Sequence, residues 1–178
     1  MPEKPINFAE KKPKTLQDII NMPPEKIDEL GLPEEKAEKI KETVEIIQEI
    51  EKNFSKIQKR IAGETAKINN TERGKIDSGK NNKIFNAHFE SIGIENFDVN
   101  EKELYLLKET GEILSEIESN FDISKETDNE IDNLGKKLSE YSKESGSTLI
   151  TGYLSNLAVM IENKKIMIAG LASRKRIR

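Results

Sequence analysis

The chain has 178 residues, of which 34% are hydrophobic, 5% aromatic and 35% charged, with a net charge of −4. That composition excludes a thick globular core and suits helices that each bury a single stripe. Regular spacing of Ile and Leu argues against a disordered polyelectrolyte.

With no cysteine, disulfides, thiolate metal sites and cysteine nucleophiles are ruled out, in agreement with a reducing compartment. The N-terminus MPEKPINFAEKK lacks the apolar run of a signal peptide. The most apolar stretch, Leu149 to Ile161, is too short for a bilayer and runs into Glu162-Asn163-Lys164-Lys165. A soluble, cytoplasmic protein with no membrane partner is the expectation.

In chain order, residues 1–14 are rich in Lys and Pro and read as a flexible arm. Residues 15–33 read as short helices. Thr15 followed by Asp18 resembles a capping box, Pro24 suits a first helical turn, Gly31 closes the second helix, and Pro33 leads into the next. Residues 34–69 then carry the strongest pattern. Ile40, Ile47, Phe54, Ile61 and Ile68 recur every seven residues, with Ile50 and Ile57 three places after two of them. Glu, Lys and Gln fill most of the spaces between, as in an a/d seam. The seam is either the apolar face of one helix in an intramolecular bundle or one strand of an intermolecular coiled coil. Val44 and Ile46 lie off it and widen the stripe toward the first reading.

The stretch IDELGLPEEKAEKI resembles the turn and second helix of the helix-hairpin-helix family at Gly31, Leu32, Ala37 and Ile40. That resemblance implies backbone amides at a helix start holding a DNA phosphate. Here Pro33 removes an amide donor, and Glu34 and Glu35 repel phosphate. An ordinary helix–turn–helix corner accounts for the same residues.

Residues 70–99 read as a loop with an aromatic segment. GKIDSGK lacks the spacing, the Ser/Thr after Lys and the preceding strand of a phosphate loop. IFNAHFESIGIENFDV holds Phe85, Phe89 and Phe97, three of the six Phe, and the only His, His88. It either folds back onto the helices or docks a partner. A lone His has no companion for metal ligation.

Residues 100–146 read as one helix or a broken one. Asn100 with Glu103 opens it, Leu104, Leu107, Leu114, Ile117 and Phe121 form its stripe, and Ser124 caps a restart after DISKETDNE interrupts the pattern. Ile131, Leu134, Leu138 and Tyr141 then continue to Gly146. Residues 147–178 put Ile150, Leu154, Leu157, Ile161, Ile168 and Leu171 on one helical face. AVMIENKKIMIAG also reads as strand, turn, strand, but a lone hairpin needs something to pack on, so helix is favoured.

Residues 164–178 carry six basic side chains and no acid. The whole chain sums to −4, so residues 1–163 sum to −10: an acidic body with a basic end. Arg174, Lys175, Arg176 and Arg178 could serve the dipole and free carbonyls of a helix C-terminus, an acidic neighbour, or nucleic-acid phosphates. Against phosphate, no aromatic platform for bases lies nearby. One His, no Cys and no glycine-rich turn or nucleophile elbow leave no catalytic, metal or cofactor site to name.

The expectation is an all-α protein, an elongated antiparallel helical bundle or coiled coil with short N-terminal helices. It is non-enzymatic and acts by protein–protein contact, including with itself. Its interface comprises Ile40, Ile47, Ile50, Phe54, Ile57, Ile61, Ile68, Phe85, Phe89 and Phe97. The alternative is a small nucleic-acid-associated protein using the basic tail.

Overall fold

The computed structural model describes residues 16–69, 97–146 and 148–176. They form six helices packed against one another: α1 (Leu16–Ile20), α2 (Pro24–Asp28), α3 (Glu34–Asn69), α4 (Glu101–Asn120), α5 (Lys125–Ser145) and α6 (Leu149–Arg176). No strand occurs among the described residues, so the stretch open to either helix or hairpin is helix.

Local chemistry sets the boundaries. In α2, Pro24 sits in the first turn, where no amide donor is needed. Gly31 adopts φ 71°, a left-handed conformation that turns the chain from α2 into α3 without a Cβ clash. Asn100 and Glu103 form a reciprocal capping box that starts α4. Ser124 Oγ accepts the Thr127 amide at 3.1 Å and starts α5. Thr148 does the same for α6, accepting the Thr151 amide at 3.1 Å.

Pairs of contacts fix the helix directions. Lys108 pairs with Glu42, Ile50 Cγ1 lies 3.5 Å from where Gly111 would carry a Cβ, and Arg60 lies over the Phe121 ring. Positions rise together along both helices, so α3 and α4 run parallel. Lys102 reaches Glu144 and Lys137 reaches Glu109, so α5 runs back along α4. Lys165 reaches Asp128 near the start of α5, so α6 returns antiparallel to α5 and parallel to α3.

The all-α expectation holds; α4–α5 and α5–α6 run antiparallel, whereas α3 and α4, expected to be antiparallel, run parallel. Short turns, 121–124 and 146–148, force reversal. Phe97 and Val99, just before α4, share the core cluster with Ile40 and line one groove with Pro33, so α4 starts beside the end of α3 where α3 itself starts.

The core is one continuous cluster. Ile40, Val44, Ile47, Ile50, Phe54, Ile57 and Ile61 of α3 join Leu106, Leu107, Ile113, Leu114 and Ile117 of α4. Ile131, Leu134, Leu138 and Tyr141 of α5 and the inward face of α6 complete it. Each large side chain buried there stabilises the fold by about 1.5–3 kcal/mol relative to exposure. α1 and α2 cover α3 through Ile19, Ile20 and Ile27, and Gln48 Nε2 donates to the Ile20 carbonyl at 2.7 Å. The α4 stripe includes Leu106 and Ile113, while Leu104 and Phe121 sit half-buried at its margin.

Candidate protein-contact face on the last helix

α6 is the one long helix whose two faces are both poor in charge. Its inward face, Ile150, Tyr153, Leu154, Leu157, Ile161, Ile168 and Leu171, is buried in the core. Its outward face reads Gly152, Asn156, Val159, Asn163, Ile166, Gly170 and Ser173, in alternating steps of four and three. All seven are exposed and none is charged. Val159 is 62% exposed, Ile166 65% and the adjacent Met167 46%. Beside this face runs an open groove of about 390 Å³ between α5 and α6, lined mainly by Gly135, Leu138, Ser139, Ser142, Ser155 and Ala158.

Up to Leu171 the charged side chains of α6 lie at the flanks; exposed Arg174, one turn beyond Gly170, ends the uncharged strip. Lys165 donates to Asp128 and to Glu162, with Asp132 at 3.9 Å. The hydrogen bond to Asp128 is the main reason that its ammonium is held above the ordinary lysine range. Lys164 lies with Nζ 5.5 Å from the centre of the Phe54 ring, and burial lowers its proton affinity. Nearby, burial pushes the Glu51 carboxyl up. The Tyr153 hydroxyl is pushed up by burial first and by Glu51 second.

A second polar cluster sits where three helix ends meet. Glu103 is buried at 1% exposure. Its Oε1 accepts from the Tyr141 hydroxyl at 2.8 Å and the Thr148 hydroxyl at 3.0 Å, and its Oε2 faces the Asn100 amide at 3.4 Å. Asn100 Nδ2 also donates to the Tyr141 hydroxyl at 2.5 Å. A buried carboxylate is tolerated when its lone pairs are taken. Here the donors come from the starts of α4 and α6 and the end of α5. The cluster therefore ties the packing together.

The residues singled out from sequence fall in three places. Ile40, Ile47, Ile50, Phe54, Ile57, Ile61 and Phe97 are buried inside the chain, and Ile68 is half-buried against the same core. In this arrangement the α3 seam presents no open surface to a partner, because α1, α2, α4 and α6 cover it. Phe85, Phe89, His88 and Arg178 lie outside the described residues, as do residues 1–14 and Thr15. Arg174 is exposed near the end of α6, and Lys175 and Arg176 complete the helix. Glu34 and Glu35 stand exposed in the first turn of α3, where the helix-hairpin-helix resemblance would need a phosphate.

No family model matches the chain, and comparison with curated proteins and with solved structures finds no similar protein. Among the described residues no group of three or more His, Cys, Asp or Glu could hold a metal ion. No helix of those residues is long and apolar enough to cross a membrane.

Sequence reasoning missed the outward face of α6. It followed the buried stripe and stopped there. The available signal was the lack of charge between Leu149 and Ile161, which a helix with only one buried face does not require.

Proposed function

We propose that the chain is a non-enzymatic assembly or adaptor protein that works by protein–protein contact, and that the contact is made by the outward face of α6. One observation carries the reading: Val159, Ile166 and Met167 stand exposed on a helix face that bears no charge between Gly152 and Ser173. A soluble surface usually interrupts apolar groups with charge, and a continuous uncharged strip marks an interaction site. A partner helix laid along α6 with its own apolar stripe would cover these side chains and lean into the groove beside Ser139 and Ser155.

The test is a photo-reactive amino acid placed at position 166, with the same group at Glu38 on α3 as control. Adducts with protein at 166 and none at 38 support the reading. Equal labelling at both sites, or none at either, overturns it.

A second reading, contact with nucleic-acid phosphate, is favoured by the exposed Arg174 leading into Lys175 and Arg176 at the end of α6. It requires an affinity for duplex DNA or RNA that falls with salt and disappears when residues 174–178 are removed. Affinity unaffected by that truncation excludes the tail.

A further inference from the structure

We propose that the occupant of the α6 face is a second copy of this chain, with the two α6 helices antiparallel about a two-fold axis near Asn163. The proposal rests on the reading of α6 as the contact face and names its partner.

The face is nearly self-complementary. Asn163 stands at its middle, with Val159 on one side and Ile166 on the other, then Asn156 on one side, and Gly152 and Gly170 toward the ends. A two-fold interface sets residue i against j and j against i. Val159 of each copy therefore meets Ile166 of the other, and the two Asn163 side chains meet at the axis, where amides can donate to and accept from each other. The four-three spacing is the one that keeps a seam on the side of a helix facing a partner.

The two glycines add a separate observation. A Cβ at Gly152 or at Gly170 would meet nothing within 4 Å. Nothing within the chain requires glycine there, although each costs about 0.5–1 kcal/mol relative to alanine inside a helix. The same is true of Gly63 in α3 and Gly135 in α5, so the two glycines leave room for close approach of another backbone and do not by themselves mark it.

Charge decides the direction. Arg174 stands exposed at one end of α6, next in sequence to Lys175 and Arg176. Parallel pairing would set these cations side by side, which like-charge repulsion disfavours. Antiparallel pairing carries them toward the end of the partner where its α4 and α6 begin and α5 finishes. Exposed Asp98, Glu101, Glu140 and Glu144 outnumber Lys102 and Lys143 at that end.

The chain has no cysteine, so one introduced thiol reports one position. Sedimentation of the full chain is expected to give a dimer below about 100 µM. Ile166→Asp is expected to weaken it at least about tenfold while leaving helical circular dichroism unchanged. Under mild oxidation Asn163→Cys should cross-link to itself. Ser173→Cys alone should not, but should cross-link when mixed with Gly152→Cys. A monomer at that concentration, a dimer indifferent to Ile166→Asp, or self-cross-linking of Ser173→Cys overturns the proposal. The label at position 166 separates this failure from failure of the contact face itself. An adduct with a different protein overturns the second copy alone; an adduct only within one chain, or none at all, overturns both.

Discussion

α3 and α6 are the two longest helices, and they lay an Ile-rich and an Ile- and Leu-rich stripe, respectively, into the same core. Their other faces differ. α3 turns Glu38, Glu45, Glu49, Lys52, Lys56 and Lys59 outward, all exposed. α6 turns Gly, Asn, Val and Ile. Charge on an outward face closes a helix to association, because covering it strips water from groups that then need partners. An isoleucine therefore carries a different meaning on each helix: Ile47 is fully buried, whereas Ile166 is 65% exposed.

The largest effect that tests this contrast is a carboxylate placed at each of those two positions. Ile47→Asp buries an unpaired charge and should cost more than about 4 kcal/mol, abolishing cooperative unfolding in urea. Ile166→Asp should change monomer stability by no more than about 0.5 kcal/mol. Similar losses at the two sites would erase the distinction between the helices.

Next in size is the cluster that anchors α6. Glu103→Ala removes the acceptor shared by the Tyr141 and Thr148 hydroxyls and should cost about 2–3 kcal/mol, read as a lower urea midpoint at unchanged slope. Lys165→Met breaks the tie between α6 and the start of α5 and should cost up to about 1 kcal/mol. The folded chain holds the Lys165 proton more tightly than the unfolded chain. That contribution is therefore complete below the ordinary lysine range and fades as pH rises through the higher folded value. The gap in Tm between variant and parent should be constant near neutrality and close in strong alkali.

The smallest effect has the opposite sign. Burial raises the Glu51 carboxyl, so the folded state binds its proton more tightly and loses stability as pH rises from the ordinary carboxylate range through the raised value. Glu51→Gln should raise Tm slightly at neutral pH and leave it unchanged in acid below both values. A drop at neutral pH would mean that the carboxylate makes a favourable contact beside α6.

These helices also show where sequence patterns stop informing. The heptads of α3 are readable because charge frames them, and Asn100, Glu103, Ser124 and Gly146 are readable because capping uses few residue types. On α4 the run Leu104-Tyr105-Leu106-Leu107 offers apolar groups on several faces, and only packing selects Leu106 over Leu104. In α6, Val159, Ile166 and Met167 are chemically like the buried residues between them, so composition could not separate covered from open. The direction of α3 relative to α4 was hidden for another reason. Periodicity tells which face is buried, not which way the chain runs.

The parallel return from α3 to α4 bears on how the molecule assembles in time. α4, α5 and α6 follow one another through tight turns, so their mutual contacts are close in sequence and quick to find. The contacts of α3 with α4 join segments much farther apart in sequence, and the entropy cost of bringing them together is met before any contact rewards it. Although α3 leaves the ribosome before α4, α5 and α6, its isoleucine seam must wait for the three-helix unit made after it. During synthesis the chain therefore passes through an interval in which its isoleucine stripe is finished and most of its cover is not.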